Sequence, residues 1–333
     1  MLTNLKRSIA LSIFACCLIS TSAPAHPGSG IGVDRIGQIF FLDTGSGLWK
    51  IDAKGGLTHL SPLRNHWMAV DPNSGFANAR LPTDPAGDWV LTKVGADPTV
   101  LISTDFPLAI GQDGNLYYPP RRSGDLQILR TTPSGNTSTF ATLPRTAAGA
   151  PLENIDGITV APDGSIYYTN DNLICRINSR GQVSTVATVP ALVGGPSIPG
   201  NDQHPYLRGL SVDAKGVMYV ADAGDARVLK IAPDGKTTTL LQLPQGPWAP
   251  TAVALYRDDL YVLEFSHTAS DNRVEWMPRI RKIKSDGTSS IILTVDQMPG
   301  ARPKPVSKIE GLGIQFLTYE FVNPFLIGTL HYQ

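Results

Sequence analysis

The 333-residue sequence contains little cysteine and has no excess of either charge. Two of its three cysteines, Cys16 and Cys17, lie in an apolar stretch near the amino terminus. Loss of that stretch leaves Cys175 alone, which excludes an intramolecular disulfide and predicts that core burial stabilises the chain. Basic and acidic residues number 28 each, and this balance argues against a nucleic-acid partner.

The amino-terminal stretch has the features of a secretion signal. Lys6 and Arg7 precede an apolar run, Ile9 to Ile19, that is too short to span a bilayer. Ala23-Pro24-Ala25 then supplies the small residues of a cleavage site. We therefore predict that residues 1–25 are removed and that the mature protein begins at His26, in a secreted or periplasmic location.

An alternative for this stretch is a lipoprotein signal with Cys16 acylated. Phe14 fits poorly in the small-residue segment that such a signal needs, so soluble export is the preferred prediction. Cleavage after residue 25 leaves 26 basic and 28 acidic residues, a formal charge of −2. We expect the mature chain to be a monomer without a transmembrane segment.

Apolar residues at helical spacing are also missing over any useful length, which predicts an all-β class. A short apolar strand recurs in six places instead. These stretches are Ile31 to Val33, Met68 to Val70, Leu108 to Ile110, Ile158 to Val160, Leu210 to Val212 and Val253 to Leu255. Their last residues are 37, 40, 50, 52 and 43 positions apart, which is near the length of one four-stranded propeller blade.

Three further strand patterns follow these stretches: an aromatic and aliphatic strand, a strand with a cation near its end, and a threonine-rich strand. The second strands lie at Ile39 to Asp43, near Gly75-Phe76, and at Leu116 to Tyr118, Ile166 to Asn170, Met218 to Asp222 and Leu260 to Glu264. The third strands carry Lys50, Lys93, Arg130, Arg176, Lys230 and Lys282. Tight Asp-Gly turns separate several strands. Six units of four strands predict a six-bladed β-propeller.

The fifth unit carries the most specific signature. Gly209-Leu210-Ser211-Val212-Asp213, Val217 to Asp222 and Arg227 to Ile231 resemble an NHL repeat. The whole set of six resembles the NHL and SMP-30/gluconolactonase-like six-bladed propellers over about residues 28 to 293. For function, the resemblance implies a range that includes lactone hydrolases, lyases, strictosidine-synthase-like enzymes and interaction modules.

The predicted propeller occupies residues 26–294, and residues 295–333 form a carboxyl-terminal tail. Ile309 to Ile314 resemble another inner strand, so one interpretation is that the tail adds strands to the propeller. The other interpretation is that the tail crosses the surface and docks its aromatic residues there.

The segments that lead into the six inner strands meet at the central channel, and polar residues in them are candidates for a site. Four positions before the end of each apolar stretch stand Ser29, His66, Phe106, Asp156, Arg208 and Thr251. Asp105, Glu153, Asn154, His204 and Tyr206 lie near them in the sequence. Because Arg208 offers a planar fork of donors and His66 titrates near neutral pH, we predict that the channel mouth binds a small-molecule or peptide ligand.

Enzymatic alternatives follow from the resemblance. Gluconolactonase-like enzymes are expected to hold a divalent cation with a carboxylate from the first blade, but this chain opens that blade with residues 26–30, which contain no Glu. Glu153, Asn154 and Asp156 could rebuild an oxygen-rich calcium site. An NHL-type lyase is expected to present three histidines to zinc, and only His66 matches. A metal-dependent hydrolase or lyase, with one calcium or zinc ion, is therefore the alternative prediction.

Structural roles for the same residues remain open at this point. Asp156 and Arg208 could form an ion pair between neighbouring blades. Trp67 and Trp248 could pack the rim of the channel instead of stacking on a ligand. Cys175, within Leu173 to Ile177, is predicted to be a buried thiol without a chemical role.

Overall fold

A computed structural model describes residues 29–84, 87, 89–95, 97–120, 126–143, 155–195, 205–267 and 277–298. Within these residues the chain forms 23 β-strands, one 3-10 turn at Val295–Gln297 and no α-helix. The strands make six antiparallel sheets, which confirms the predicted all-β propeller class. No helix in the described ranges has the length and apolar character needed to cross a membrane. The predicted signal sequence and nearly all of the predicted tail lie outside the described residues.

Each sheet is one blade, built from a continuous part of the chain. Blade one has β1 (Ile31–Val33), β2 (Ile39–Asp43), β3 (Gly47–Ile51) and β4 (Leu57–Ser61). Blade two has β5 (Trp67–Asp71), β6 (Leu91–Val94) and β7 (Thr99–Ser103). Blade three has β8 (Ala109–Ile110), β9 (Leu116–Tyr118), β10 (Gln127–Thr131) and β11 (Thr137–Thr142).

The remaining three blades follow the same plan. Blade four has β12 (Gly157–Val160), β13 (Ile166–Asn170), β14 (Leu173–Ile177) and β15 (Val183–Thr188). Blade five has β16 (Leu207–Val212), β17 (Met218–Asp222), β18 (Arg227–Ile231) and β19 (Thr237–Gln242). Blade six has β20 (Trp248–Tyr256), β21 (Asp259–Ser266), β22 (Met277–Ile283) and β23 (Ser289–Thr294). Five blades therefore have the predicted four strands in chain order.

The first strand of each blade lines the centre of the ring. These inner strands, β1, β5, β8, β12, β16 and β20, lie next to one another in that order, and β20 lies against β1. An apolar cluster closes the ring, with Phe41 and Trp49 from blade one packed near Leu263, Phe265 and Ile280 from blade six. No blade within the described residues mixes strands from both ends of the chain, so packing and hydrogen bonds between side chains and backbone join blades six and one.

The recurring cation of the third strand has a structural explanation. In four blades it lies directly opposite a tyrosine of the second strand; the pairs are Tyr117 with Arg130, Tyr167 with Arg176, Tyr219 with Lys230 and Tyr261 with Lys282. The Arg176 guanidinium lies 5.8 Å from the Tyr167 ring centroid, and the Lys282 ammonium lies 5.4 Å from that of Tyr261. At these distances the ring face attracts the cation while its aliphatic stem covers apolar surface.

Blade two departs from the prediction. Three strands are described, and their order across the sheet is β5, β7, β6, so the last strand in sequence pairs with the inner one. Gly75-Phe76, predicted as part of a second strand, lies in a turn where the Phe76 N–H donates to the Asp71 carboxylate at 2.8 Å. Lys93, predicted on a third strand, lies on the edge strand and donates to the carbonyl oxygens of Ala77 and Ala79.

The physical reason lies in the segment between β5 and β6, residues 72–90. It contains three prolines, which cannot donate to a strand ladder, and its described residues (72–84, 87, 89 and 90) form an irregular excursion instead of a strand. Phe76 and Trp89 from this excursion are buried in the cluster shared by blades two and three. Trp89 makes edge contacts with Phe106 at 5.4 Å and Tyr118 at 6.1 Å between ring centroids. The excursion thus supplies the apolar packing that a regular second strand provides in other blades.

Candidate functional site at the channel mouth

Three hydrogen bonds cross the centre of the ring between blades that are not neighbours. Arg208 of blade five donates from Nε and Nη2 to the hydroxyl of Ser29, which precedes blade one, at 2.9 and 2.6 Å. Blade six stands between blades five and one, so this side chain reaches across the channel. The indole N–H of Trp67 in blade two donates to the carbonyl oxygen of Asp156 at blade four, at 3.3 Å. These four residues therefore meet around the channel axis, on the face where the chain enters the inner strands.

Tyr206 lies between Asp156 and Arg208 and contacts both. Its hydroxyl donates to Oδ1 of Asp156 at 3.2 Å and lies 3.4 Å from Nη1 of Arg208. The Arg208 guanidinium carbon is 5.2 Å from the centroid of the tyrosine ring. Burial raises the pKa of Tyr206 to about 12, with Arg208 opposing this rise and Asp156 adding to it. The phenol is therefore a neutral donor and acceptor at neutral pH, placed between a guanidinium and a carboxylate.

His66 occupies the corresponding position in blade two. Nδ1 of its ring lies 3.2 Å from the carbonyl oxygen of Thr104, which requires a proton on Nδ1 because a carbonyl only accepts. The ring meets Trp67 edge-on, with centroids 5.3 Å apart, and the His66 carbonyl accepts the Ser29 N–H at 2.8 Å. His66 is buried and is held against blades one and two, beside the residues that cross the channel.

His267 is a polar residue of this region that the sequence analysis did not identify. It follows β21, and its N–H donates to the Pro247 carbonyl oxygen at 2.7 Å. Burial, assisted by the positive charge of Arg208, lowers the pKa of His267 to about 4, so the imidazole is neutral at neutral pH. The sequence signal was its place after a second strand, because the connection from second to third strand lies on the same face as the segments leading into the inner strands.

Glycines that follow three of the channel residues explain how the inner strands come so close together. A Cβ on Gly30 would lie 2.7 Å from Cγ of Met68, one on Gly157 would lie 2.4 Å from the Arg208 carbonyl oxygen, and one on Gly209 would lie 2.8 Å from Cα of Ala252. In each case the obstacle belongs to the inner strand of the next blade. The recurring pattern of a polar residue followed by glycine therefore reflects the close approach of neighbouring inner strands.

A register shift in β16 also helps to place Arg208. Leu207 pairs with Asp222 and Leu210 pairs with Val220, so the regular pairing is interrupted at residues 208 and 209. Such irregularities turn a side chain away from the direction that the strand would give it. The side chain of Arg208 is 1% exposed, and it reaches the channel where a regular inner strand would pack it between blades.

The other predicted residues have different positions. Asp105 accepts a hydrogen bond from the Thr104 hydroxyl, and its N–H donates to Ser103, so its contacts are confined to the turn after β7. Phe106 is part of an apolar cluster, and the Thr251 hydroxyl donates to a backbone oxygen of blade six. Glu153, Asn154 and His204 lie outside the described residues, and their predicted roles stay predictions.

The described residues around Asp156 do not fit a divalent cation. No group of three or more His, Cys, Asp or Glu side chains suited to a metal occurs in the ranges that the structure describes. Tyr206 occupies one carboxylate oxygen of Asp156, and the guanidinium of Arg208 lies in the same network, where it repels a cation. Of the predicted calcium ligands only Asp156 is described, so that set remains a prediction without support from the described contacts.

A separate cavity of about 400 Å³ lies on the opposite face, between blades four and five. Of its charged groups, Arg176 pairs with Asp163 at 2.9 Å, and Asp213 accepts the backbone N–H groups of Lys215 and Val217. The cavity shares no residue with the channel mouth, and we attribute it to the packing of turns at the ends of two blades.

No protein-family model matches the chain, and no curated protein matches it. Solved structures with a similar fold include virginiamycin B lyase from Staphylococcus aureus, with 16% identity, coverage of 81% of this chain and 85% of that one, and a TM-score of 0.46. Regucalcin, a calcium-binding protein from Agrobacterium tumefaciens strain C58, has 16% identity, coverage of 75% and 85%, and a TM-score of 0.48. A gluconolactonase from Xanthomonas campestris has 15% identity, coverage of 72% and 83%, and a TM-score of 0.47. The likeness concerns the fold alone, and the six sheets by themselves show the predicted six-bladed propeller.

Proposed function

We propose that this protein is exported and binds a small polar ligand with an anionic group at the mouth of its central channel. The observation that supports the proposal most directly is the Arg208 side chain, which crosses the channel from blade five to Ser29. Arg208 is only 1% exposed, so a ligand binds to these donors by displacing the Ser29 hydroxyl from them.

The chemistry of the described residues suits a carboxylate or a similar group. A guanidinium presents donors in a fixed plane that matches two oxygens, and its hydrogen bonds to an ionised acceptor are stronger than those to a hydroxyl. An anion that replaces the Ser29 hydroxyl as the acceptor for Arg208 therefore improves that contact. Tyr206 and His267 are neutral near pH 7, so they add hydrogen-bonding groups without repelling the ligand.

Specificity comes from the carboxylate and the aromatic ring near Arg208. Asp156 repels a second negative charge and accepts hydrogen bonds, so the proposed ligand carries its anionic group at one end and donors at the other. Trp67, whose N–H is fixed to the Asp156 carbonyl oxygen, limits the width of the site. The proposed class is a hydroxy acid, an amino acid derivative or a short peptide terminus.

The test is a titration of the mature protein with small carboxylates and with the amide of each carboxylate. We expect a saturable rise in melting temperature with at least one carboxylate and none with its amide. Arg208→Met should weaken that binding more than tenfold, and Arg208→Lys should recover only part of it because the planar fork is lost. The matched control is Arg176→Met, which removes a half-exposed arginine paired with Asp163 on the opposite face and should leave binding unchanged.

Equal responses to acids and amides, or wild-type affinity in Arg208→Met, would show that the network only fills the channel. In that case Arg208→Met lowers the melting temperature and has no other effect. The alternative activity, metal-dependent lactone hydrolysis or a lyase reaction, is tested by elemental analysis of the purified mature protein. One calcium or zinc ion per chain, together with lactone hydrolysis that is lost in Asp156→Asn, would replace the proposal with that alternative.

A further inference from the structure

Blade six contains a buried carboxylate between two arginines. Glu264 is fully buried, with Oε2 accepting from Nε of Arg279 and Oε1 accepting from Nε of Arg281, each at 2.5 Å. Both arginine side chains are only 13% exposed. Because an arginine is always charged in a protein, this partly buried group of three carries a net charge of about +1.

Blade five has two carboxylates and one guanidinium at the position where blade six has one carboxylate and two guanidinium groups. There Arg227 pairs with both Asp222 and Asp225, at 2.8 and 3.0 Å, so two carboxylates share one guanidinium. The pattern of blade six therefore does not follow from the repeat. Two guanidinium groups that share one carboxylate repel each other in a region of low dielectric, and a second anion would relieve that repulsion.

The position of the pair is fixed by strand register. Glu264 lies opposite Arg279, and Arg281 lies opposite Val262 on the same strand pair. Val262 packs in the apolar cluster shared by blades five and six, and side chains two residues apart point to the same face of a sheet. The two arginines therefore lie on the side of blade six that faces blade five.

The terminal nitrogens of these two arginines are held in fixed positions but make few hydrogen bonds. Both residues contact Glu264 through Nε, and within the described residues Arg279 makes no hydrogen bond through Nη1 or Nη2. Those of Arg281 make only long contacts of 3.5 Å, to Ser289 and to Glu264. The Arg279 guanidinium carbon lies 3.9 Å from the ring centroid of Trp248, so the indole holds the guanidinium plane in place.

We propose that Arg279 and Arg281 form an oxyanion-binding site between blades five and six, separate from the site around Arg208. Glu264 orients the two guanidinium groups and leaves one positive charge for the ligand. The ligand group is a carboxylate or a phosphate, and Trp248 provides a flat apolar wall beside it. This inference does not depend on the ligand proposed for the channel.

The experiment measures binding of inorganic phosphate and of benzoate to the mature protein by calorimetry at constant ionic strength. We expect saturable binding of at least one of the two. Arg281→Gln leaves one guanidinium paired with Glu264, so the variant should fold normally and bind at least tenfold more weakly. Glu264→Gln removes the competing carboxylate and should bind severalfold more tightly, and added phosphate should raise its melting temperature more than that of the wild type.

Arg176→Gln is the control for general loss of positive charge, and its binding should equal that of the wild type. Absence of saturable binding with both probes would overturn the proposal, as would equal affinities in the wild type and Arg281→Gln. Loss of binding in Arg208→Met with retention in Arg281→Gln would also overturn it, because the anion would then lie in the channel. This last comparison separates the present inference from the function proposed above.

Discussion

At the scale of single residues, small side chains matter as much as charged ones for the channel mouth. Gly209 stands directly after Arg208 and faces the backbone of the next inner strand, where a methyl group would lie 2.8 Å from Cα of Ala252. Backbone cannot move aside as a flexible side chain can. The position of Arg208 therefore depends on the absence of a Cβ at its neighbour.

We predict that Gly209→Ala destabilises the protein by about 1–3 kcal/mol, the usual cost of overpacking, and weakens ligand binding by displacing Arg208. Chemical denaturation measures the first effect and calorimetry the second. Gly75→Ala is the matched control, since its added methyl group would lie 3.3 Å from Cγ of Pro133 and 3.8 Å from Oδ2 of Asp71, both side-chain atoms. Equal free energies of unfolding for the two variants would contradict the explanation from packing.

His267 makes stability depend on pH in a defined direction. Its pKa is lowered from 6.5 to about 4 in the folded protein, mainly by burial. Between these two pH values the imidazole is protonated in the unfolded chain and neutral in the folded one. Stability therefore falls as the pH drops from about 6.5 to about 4, by an amount on the order of 3 kcal/mol for this group alone.

The test compares the free energy of unfolding of the wild type and His267→Gln across this pH range. Buried carboxylates affect both proteins, so the difference between the two curves isolates the imidazole. We expect that difference to grow as the pH falls, with the wild type losing more stability. Two parallel curves would mean that His267 does not titrate in this way.

At the scale of elements, blade two shows that an irregular segment can replace a strand if it delivers the right side chains. The described residues between β5 and β6 form no strand, yet Trp89 is buried between blades two and three while Val90 is 54% exposed. The energetic role of the segment is concentrated in its aromatic residues.

We expect Trp89→Ala to destabilise the protein by about 3–5 kcal/mol, as for other buried aromatic residues. Val90→Ala, one position further along, should cost under about 0.5 kcal/mol because the side chain is exposed. Thermal unfolding of both variants tests this. If the two costs are similar, the excursion does not support the junction between blades two and three.

The central strands bury their side chains on both faces, and Cys175 on β14 illustrates the chemical consequence. Its thiol is buried opposite Tyr168, and burial raises its pKa, so the reactive thiolate is scarce. We predict that native protein resists a thiol reagent and that the same thiol reacts within seconds after denaturation. Fast labelling of the native protein would place this thiol at the surface and contradict the register of β14.

At the scale of the whole molecule, the predicted signal cleavage determines which residues the mature protein contains. The small residues before His26 predict that the mature protein lacks residues 1–25. The intact mass of protein recovered from the secreted or periplasmic fraction should correspond to a chain starting at His26. A mass that includes Cys16 and an acyl group would instead indicate a lipid anchor, and retention of the full chain in the cytoplasm would contradict export.

The blades could be predicted from the sequence more completely than the site. The strand patterns recur from blade to blade, whereas each residue of the site occurs only once. Tyr167 and Arg176 recur as a pair in other blades, so their register could be anticipated from the pattern. His267 occurs once, and its sequence signal is limited to its place directly after a second strand. In blade two, Phe76 resembles a strand residue and so predicts a second strand, whereas Pro72 and Pro82 on either side of it cannot donate to a ladder and favour the excursion.

The closure of the ring has a mechanical consequence. Five junctions between blades are crossed by the chain itself, whereas described residues join blades six and one only through packing and through hydrogen bonds such as that from the Tyr256 hydroxyl to the Arg35 carbonyl oxygen at 3.2 Å. A force that pulls the ends of the ring apart therefore meets covalent resistance everywhere except at this seam. Arg208 and Ser29 lie on opposite sides of this seam, so their hydrogen bonds hold it closed, and an opening of the ring would also separate the residues of the proposed site.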